Sequence, residues 1–171
     1  MPSIGHVAVG LAVARLERKP EAIGMNAWRV GLVALSALPD LDVIGFALGI
    51  PYAAPWGHRG AAHSLAVAGL CGLACAAGAR GWRAGAVRMG IVGGLVTASH
   101  GLLDTLTDGG LGIALLWPWS SHRFFAPWRP IPVAPIGAAM LSARGLEVVA
   151  TEAVLFLPLF VVGLWPRKQA S

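Results

Sequence analysis

The chain has 171 residues, of which 56% are hydrophobic and 12% are charged, and its mean hydropathy is +0.69. This composition, with 23 glycines among long apolar runs, excludes a soluble globular core and indicates an integral membrane protein. The net charge of +5 does not indicate nucleic-acid binding, because the basic residues flank apolar segments and no nucleic-acid-binding motif is present. We therefore predict a single membrane-embedded domain over residues 1–171.

Five apolar segments are predicted to form an all-α helical bundle. A hydrocarbon core about 30 Å thick requires about 20 apolar residues per helix. The segments cover approximately 3–16, 26–50, 62–80, 85–106 and 146–165. The first segment is short, and we interpret it as crossing the membrane beside tilted neighbours, with a re-entrant path as the alternative.

Basic and aromatic residues predict the orientation. Nine of the thirteen basic residues fall on one side: Arg15, Arg18, Lys19, Arg29, Arg80, Arg83, Arg88, Arg167 and Lys168. By the positive-inside rule this side is cytoplasmic, so the N-terminus faces out and the C-terminus faces in. The tryptophans agree, with Trp28, Trp82 and Trp165 at the inner interface and Trp56, Trp117, Trp119 and Trp128 at the outer one. Two loops face out, at about 51–61 and 107–145, and the longer one is expected to form an ordered cap.

This threading brings ionisable residues together at the outer face. They include all five histidines and five of the eight acidic residues: His6, Asp40, Asp42, His58, His63, His100, Asp104, Asp108, His122 and Glu152. Imidazole and carboxylate groups are ligands that suit Zn²⁺ and similar divalent metals. Carboxylates at membrane depth are costly unless they are paired or bound to metal. The pattern predicts a metal site near the outer headgroups.

Two motifs near the middle of the chain contribute most of these residues. Leu-Pro-Asp-Leu-Asp at 38–42 interrupts the second segment, and the alternative is a helix end that the aspartates cap. His58 and His63 open the third helix, His63 in its first turn, and both are able to converge on one ion. Arg59 at this helix N-terminus suits a phosphate. The alternative is a polar loop at headgroup level.

The remaining candidates lie on the other helices. His100 and Asp104 are four residues apart on one helical face, as a ligand pair must be, although such a pair often satisfies itself. His6 lies near the outer end of the first helix. Glu152 is an intramembrane glutamate whose expected partner is His6 or the metal. Asp108 and His122 lie in the long loop, where solvated roles are expected.

These motifs in this order resemble a known family. Gly5-His6 with Gly10, Leu-Pro-Asp-Leu-Asp, His-Arg-x-x-x-His-Ser at 58–64, His-x-x-x-Asp at 100–104 and Trp-Pro-Trp-Ser…Arg at 117–123 are similar to the YdjM-like inner-membrane proteins, described as metal-dependent hydrolases. That family's pattern is in turn similar to zinc-dependent phospholipase C. The resemblance implies that His6, Asp40, Asp42, His58, His63, His100 and Asp104 bind metal, with Glu152 as a further ligand.

The expected function is a membrane-embedded metallohydrolase that cleaves a phosphoester of a lipid or lipid-linked substrate. Two or more divalent ions, zinc or alternatively manganese, would activate a water. Asp40 or Asp42 is the expected general base, and Arg59 is expected to hold a phosphoryl oxygen. One alternative is a non-catalytic metal transporter or sensor, and another is a protein in which the ions only join helices. The sequence does not identify a protein partner.

Overall fold

The computed structural model describes residues 3–80 and 85–166. These residues form α1 (Ser3–Leu16), α2 (Met25–Ala37), a 3₁₀ turn (Leu38–Val43), α3 (Ile44–Ala47), a second 3₁₀ turn (Ala61–His63), α4 (Leu65–Ala79), α5 (Ala86–Asp104), a third 3₁₀ turn (Gly137–Leu141), α6 (Ala143–Leu155) and α7 (Leu157–Leu164). The described residues contain no β-strand. The predicted all-α class is confirmed.

Apolar helices long enough to cross a bilayer are present in this fold. Met25–Ala47, which runs through α2 and α3, and Ala86–Asp104, which is α5, both have the length and composition of a membrane span. The bent pair of α6 and α7 makes a third span if it crosses as one unit. Ile4–Leu16 and Leu65–Ala79 are apolar but shorter. The five apolar segments of the sequence therefore all appear as helices, and their length divides them into helices long enough to span a membrane and shorter ones.

Two of the five segments are broken, and both breaks have a proline. Pro39 lies at the start of the 3₁₀ turn that separates α2 from α3, as the sequence predicted. A second break was not predicted, because 146–165 was treated as one continuous helix. The structure bends this segment by 63° between α6 and α7. Pro158 lies in the first turn of α7, where its missing N–H prevents the α6 hydrogen-bond ladder from continuing.

Small residues allow the helices to pack closely. α4 packs along α5, and a Cβ added at Gly72 of α4 would lie 2.7 Å from the carbonyl oxygen of Gly90 in α5. α1 contacts both α2 and α7, and a Cβ at Gly163 would lie 2.7 Å from the Cβ of Leu11. Such close backbone approach is typical of membrane helices, where lipid supplies no hydrophobic drive to association. Leucines and valines on the outer faces of α4 and α5 are exposed, as a lipid-facing surface requires.

The two ends of the bundle differ in chemistry. At one end Arg88 of α5 pairs with Glu17 just after α1, at 3.3 Å, and Arg15 donates to the carbonyl of Trp165. At the other end α1 begins and α5 ends, and the histidines and aspartates lie there. α1 and α5 are therefore antiparallel. The residues Trp82, Arg83, Arg167 and Lys168, which the sequence places at the basic end, lie outside the described residues.

Trp28, predicted at the inner interface, is buried against α1, where its indole N–H donates to the carbonyl of Ala14. One local prediction was wrong. His63 was placed in the first turn of the third helix, but it lies just before it. The helix begins after Ser64, whose hydroxyl accepts a hydrogen bond from the N–H of Val67, an N-cap that sets the boundary.

The long loop after α5 is an ordered cap, as predicted. Backbone hydrogen bonds pair Ile113 with Phe124, and Thr107 and Ile131 form a parallel bridge. Ile113 and Ile131 belong to this loop, and their side chains are buried. Trp119 and Trp128 project from it and are more than two-thirds exposed. Exposed tryptophans on a membrane protein suit the headgroup region, which favours a position of the loop at a membrane interface. The loop covers the end of the bundle that carries the histidines.

Candidate metal centre

The candidate centre forms where several elements end together. The turn after α2 supplies Asp40 and Asp42, the segment before α4 supplies His58 and His63, and the last turn of α5 supplies His100 and Asp104. His6 comes from the start of α1. Helix breaks and helix ends free the backbone from regular geometry. Side chains from separate elements are therefore able to converge on one site.

Four of these residues form what we call the four-residue group: Asp40, His63, His100 and Asp104. One ligand atom from each lies within 4.8 Å of all the others. His100 Nε2 lies 3.1 Å from His63 Nε2 and 3.2 Å from Asp40 Oδ1. Asp104 Oδ2 lies 3.5 Å from His63 Nε2 and 3.8 Å from His100 Nε2. In a tetrahedral zinc site with bonds of about 2.0–2.1 Å, neighbouring ligand atoms are about 3.3 Å apart, so these spacings fit such a site.

Burial and the scarcity of hydrogen bonds make the four-residue group suited to a bound cation. The side chains of His63, His100 and Asp104 have no measurable exposure, and that of Asp40 is 15% exposed. Within the described residues, no hydrogen bond reaches either carboxylate oxygen of Asp104 or Oδ1 of Asp40. A buried carboxylate without hydrogen bonds is costly unless positive charge compensates it. The donor set, two imidazoles and two carboxylates, suits a divalent metal.

The backbone fixes how His100 faces the group. Its Nδ1 lies 2.7 Å from the carbonyl oxygen of Ser36. A carbonyl only accepts, so Nδ1 carries the proton and donates, which leaves the Nε2 lone pair directed at the group. Metal-binding histidines usually donate their second N–H in this way. The ring stacks on His6 with centroids 3.6 Å apart, which further limits its rotation.

A second group, Asp42 with His58 and His63, adjoins the first through His63. Asp42 Oδ1 lies 2.6 Å from His58 Nδ1, and Asp42 Oδ2 lies 3.1 Å from His63 Nδ1. Oδ2 also accepts a hydrogen bond from the backbone N–H of Arg59 at 3.0 Å. His63 therefore turns one nitrogen to each group. The second group is able to bind an ion of its own or to orient His63 for the first.

His6 and Glu152 were predicted as ligands, and the structure places both beside these groups rather than in them. His6 Nε2 lies 3.5 Å from Asp104 Oδ1. Oε2 of Glu152 accepts hydrogen bonds from the backbone N–H groups of Ile4 and Gly5, at 2.9 and 3.3 Å. Glu152 thus satisfies the N-terminus of α1, the helix that carries His6. The expected partner of Glu152 was His6 or the metal, and the hydrogen bonds instead reach the backbone just before His6, up to 148 positions away in the chain.

Arg59 is buried beside the four-residue group. Its φ of 64° lies in the left-handed region, which is uncommon for a non-glycine residue. Nη1 donates to Thr107 Oγ1 at 2.8 Å and to the Gly109 carbonyl at 2.9 Å, and Nε lies 3.8 Å from Asp104 Oδ2. Nε and Nη2 are buried without a hydrogen-bond acceptor among the described residues. Two donors of the guanidinium are thus available beside Asp104.

Sequence reasoning missed two residues that support this region. Thr107 accepts from Arg59 and donates to the carbonyl of Asp104. Arg123 brings its guanidinium to 3.2–3.5 Å from a set of loop carbonyls, those of Ala53, Ala54, His58, Arg59 and Gly112. Arg123 appeared only as the last residue of a motif, and nothing in its spacing indicated that it fastens the loop that bears His58.

The two residues expected in solvated roles lie at the rim. Asp108 is about half exposed, accepts from the N–H of Val133 and faces Arg144 at 3.8 Å. His122 is exposed and contacts Phe124 edge-on. Neither belongs to either group in the part of the chain that the structure describes.

Comparison with known proteins assigns the chain to a family. The sequence profile of the YdjM inner membrane protein family matches residues 1–170. The chain belongs to the YdjM inner membrane protein family. The inner membrane protein YbcI of Escherichia coli (strain K12) is 39% identical over 175 residues, which cover 99% of this chain and all of YbcI. No solved structure matches. The family and the apolar helices together make this chain an integral inner-membrane protein with a cluster of residues suited to metal, as the sequence resemblance predicted.

Proposed function

We propose that this YdjM-family protein is a metal-dependent hydrolase that cleaves a phosphoester of a membrane lipid or lipid-linked substrate. The observation that carries the proposal is the buried four-residue group, whose ligand spacings match a tetrahedral metal site, with the unused donors of Arg59 beside it. Zinc fits the donor set, and manganese is the alternative. The basic end of the bundle supports a cytoplasmic C-terminus, so the site would face the outer leaflet.

We propose one ion in the four-residue group. The distance of 2.6 Å between Asp42 Oδ1 and His58 Nδ1 is that of a direct hydrogen bond, and it is shorter than the about 3.3 Å between ligands of one tetrahedral ion. Asp42 therefore acts best as the partner that orients His63, with His58 behind it. The prediction of two or more ions stays as the alternative, in which the second group binds another.

A divalent ion held by His63, His100 and Asp104, three protein ligands that leave room for a water beside Asp40, would supply an activated water and neutralise charge on the phosphoryl group. The protein's own residues would do the rest. Arg59 donates Nε–H and Nη2–H to phosphoryl oxygens, a fork that suits a phosphate. Asp40 serves as general base more readily than Asp42, because both oxygens of Asp42 are already engaged. Asp40 is also the most exposed of the four-residue group and marks its access side.

The alternative of metal transport receives no support from the interior of the bundle. The core cluster toward the basic end consists of Ala14, Trp28, Leu32, Ala79, Met89, Val92 and Val96. An ion leaving the four-residue group in that direction would meet apolar side chains. Ion pathways instead need polar or ionisable residues along their length.

The test is hydrolysis of phospholipids and lipid diphosphates by the purified protein loaded with Zn²⁺ or Mn²⁺. We expect His100→Gln to abolish turnover and His122→Gln, a matched change at the rim, to retain it. Wild-type rates in His100→Gln would refute the proposal. If metal removal unfolds the protein and restored metal refolds it without any turnover, the ion only joins helices and the hydrolase proposal fails.

A further inference from the structure

An apolar groove runs along the membrane-embedded part of the bundle. It has a volume of about 670 Å³ and lies between α2, α4 and α5. Its walls include Trp28, Leu32 and Leu35 of α2, Leu38 just after α2, and Cys71 and Cys75 of α4. Two of the helices that line it, α2 and α5, belong to the segments long enough to span the bilayer. The groove therefore lies at the depth of lipid chains.

The length of the groove matches one lipid chain. Its α2 wall extends from Ala27 to Leu38. The eleven steps between these two residues, at a helical rise of about 1.5 Å each, cover roughly 16 Å. One leaflet contributes about half of a hydrocarbon core that is about 30 Å thick, or roughly 15 Å. A chain that starts beside Leu38 would fill the groove and end beside Ala27, near the start of α2.

One end of the groove lies close to the candidate metal centre along the chain. Leu38 lines this end and begins the 3₁₀ turn that carries Asp40 two residues later. Asp40 is the member of the four-residue group whose side chain is 15% exposed, whereas the other three are fully buried. Asp40 is therefore the member of the group that lies nearest to the groove along the chain and is most open. A phosphoryl group at this point would have its chain directed down the groove.

We propose that the groove holds one hydrocarbon chain of the membrane lipid whose phosphoryl group meets the metal centre. This inference rests on the proposed function and names its substrate as a lipid taken laterally from the bilayer. Lipid tails are as apolar as the groove walls, so the groove adds little affinity by burial. It acts by shape, because it fixes the direction of the chain once the headgroup is bound.

Two glycines allow the groove to be filled without disturbing the helices. Gly31 of α2 and Gly78 of α4 both line it, and a Cβ added at either would meet no described atom within 4 Å. Gly31→Leu and Gly78→Leu would therefore occupy the groove. Gly69→Leu is the matched control, since Gly69 also has free space but lines the face of α4 and α5 that is shared by Leu65 and Leu95.

The experiment uses a phospholipid with a photoreactive diazirine in its acyl chain, in vesicles of phosphatidylglycerol and phosphatidylethanolamine. Cross-linked residues are mapped by mass spectrometry. We expect products at Cys71 and Cys75, their loss in Gly31→Leu and Gly78→Leu, and their retention in Gly69→Leu. Equal products at Cys71 in wild type and Gly31→Leu would overturn the inference. A disulfide between Cys71 or Cys75 of two copies of the chain, formed in the same vesicles under an added oxidant, would overturn it as well, because a second protein would then fill the groove.

A second readout separates this inference from the proposed function. In an assay of turnover, Gly31→Leu should lower kcat/KM for a long-chain substrate and leave it unchanged for a soluble phosphoester with the same headgroup. Equal losses for both substrates would overturn the groove while the hydrolase remains. The cross-linking pattern in an inactive protein would sustain the groove as a lipid site even if no hydrolysis is found.

Discussion

Asp42 is the residue whose substitution best separates a metal ligand from a partner that orients one. Its carboxylate contacts His58 Nδ1 at 2.6 Å, His63 Nδ1 at 3.1 Å and the backbone N–H of Arg59 at 3.0 Å. Asp42→Asn keeps the size of the side chain and one acceptor oxygen. It removes the negative charge that faces both imidazoles, while the contact with the Arg59 N–H is able to persist.

The expected loss of metal affinity follows from the role of Asp42 as the partner that orients His63. Loss of an outer partner of a metal-binding histidine costs about 10–100-fold in metal affinity, which corresponds to about 1.4–2.7 kcal/mol. We expect Asp42→Asn to fall in this range, with one ion still bound per chain. Asp104→Asn removes a ligand itself and should abolish binding at the same metal concentration. Asp108→Asn, at an exposed carboxylate of the loop, should bind like wild type.

The assay is competition for Zn²⁺ between the detergent-purified protein and a chromophoric chelator, with the metal content measured after dialysis. An affinity equal to wild type in Asp42→Asn would refute the role of Asp42 in orienting His63. A wild type that holds two ions and an Asp42→Asn variant that holds one would make Asp42 a ligand. In that case the second group is a metal site.

Three further predictions address the surroundings of the centre. Arg59→Lys should lower turnover about 10–100-fold, the worth of a hydrogen bond to a charged group, while the metal content stays at the wild-type level; a loss of metal would contradict this role. Gly72→Leu should lower the free energy of unfolding by about 1–3 kcal/mol, because the new side chain collides with Gly90. Gly69→Leu is the control and should leave it unchanged, and denaturation in mixed micelles measures both. Glu152→Ala should cost about 0.5–2 kcal/mol by the same measurement, because α1 loses the acceptor for its first N–H groups, and metal affinity should change less than in Asp104→Asn.

The sequence was sufficient to predict the all-α membrane class and the break in the second apolar segment. Hydropathy marks apolar helices directly, and Pro39 followed by Asp40 and Asp42 is incompatible with an unbroken membrane helix. The bend before Pro158 was missed because apolar residues continue on both sides of it, so composition alone does not show it. The start of α4 was missed for a different reason, since Ser64 sets it through a hydrogen bond that hydropathy does not report.

The convergence of the candidate residues at one end of the bundle was predictable from the sequence, and their arrangement was not. Charge and aromatic patterns placed the histidines and aspartates at one end, and the structure brings Asp40, His63, His100 and Asp104 within ligand spacing. The division into two groups that share His63 depends on which ring nitrogen faces which carboxylate. That detail is set by contacts between distant segments, as are the contacts of Glu152 with α1 and of Arg123 with the loop. Sequence spacing does not contain this information.

The most direct test of the central claim is the metal content of purified wild-type protein, with the ion located by anomalous scattering. The account predicts one divalent ion per chain between His63 Nε2, His100 Nε2, Asp40 and Asp104, absent from Asp104→Asn and present in Asp108→Asn. Protein that binds no divalent ion under Zn²⁺ or Mn²⁺, or an ion located away from the four-residue group, would contradict the account.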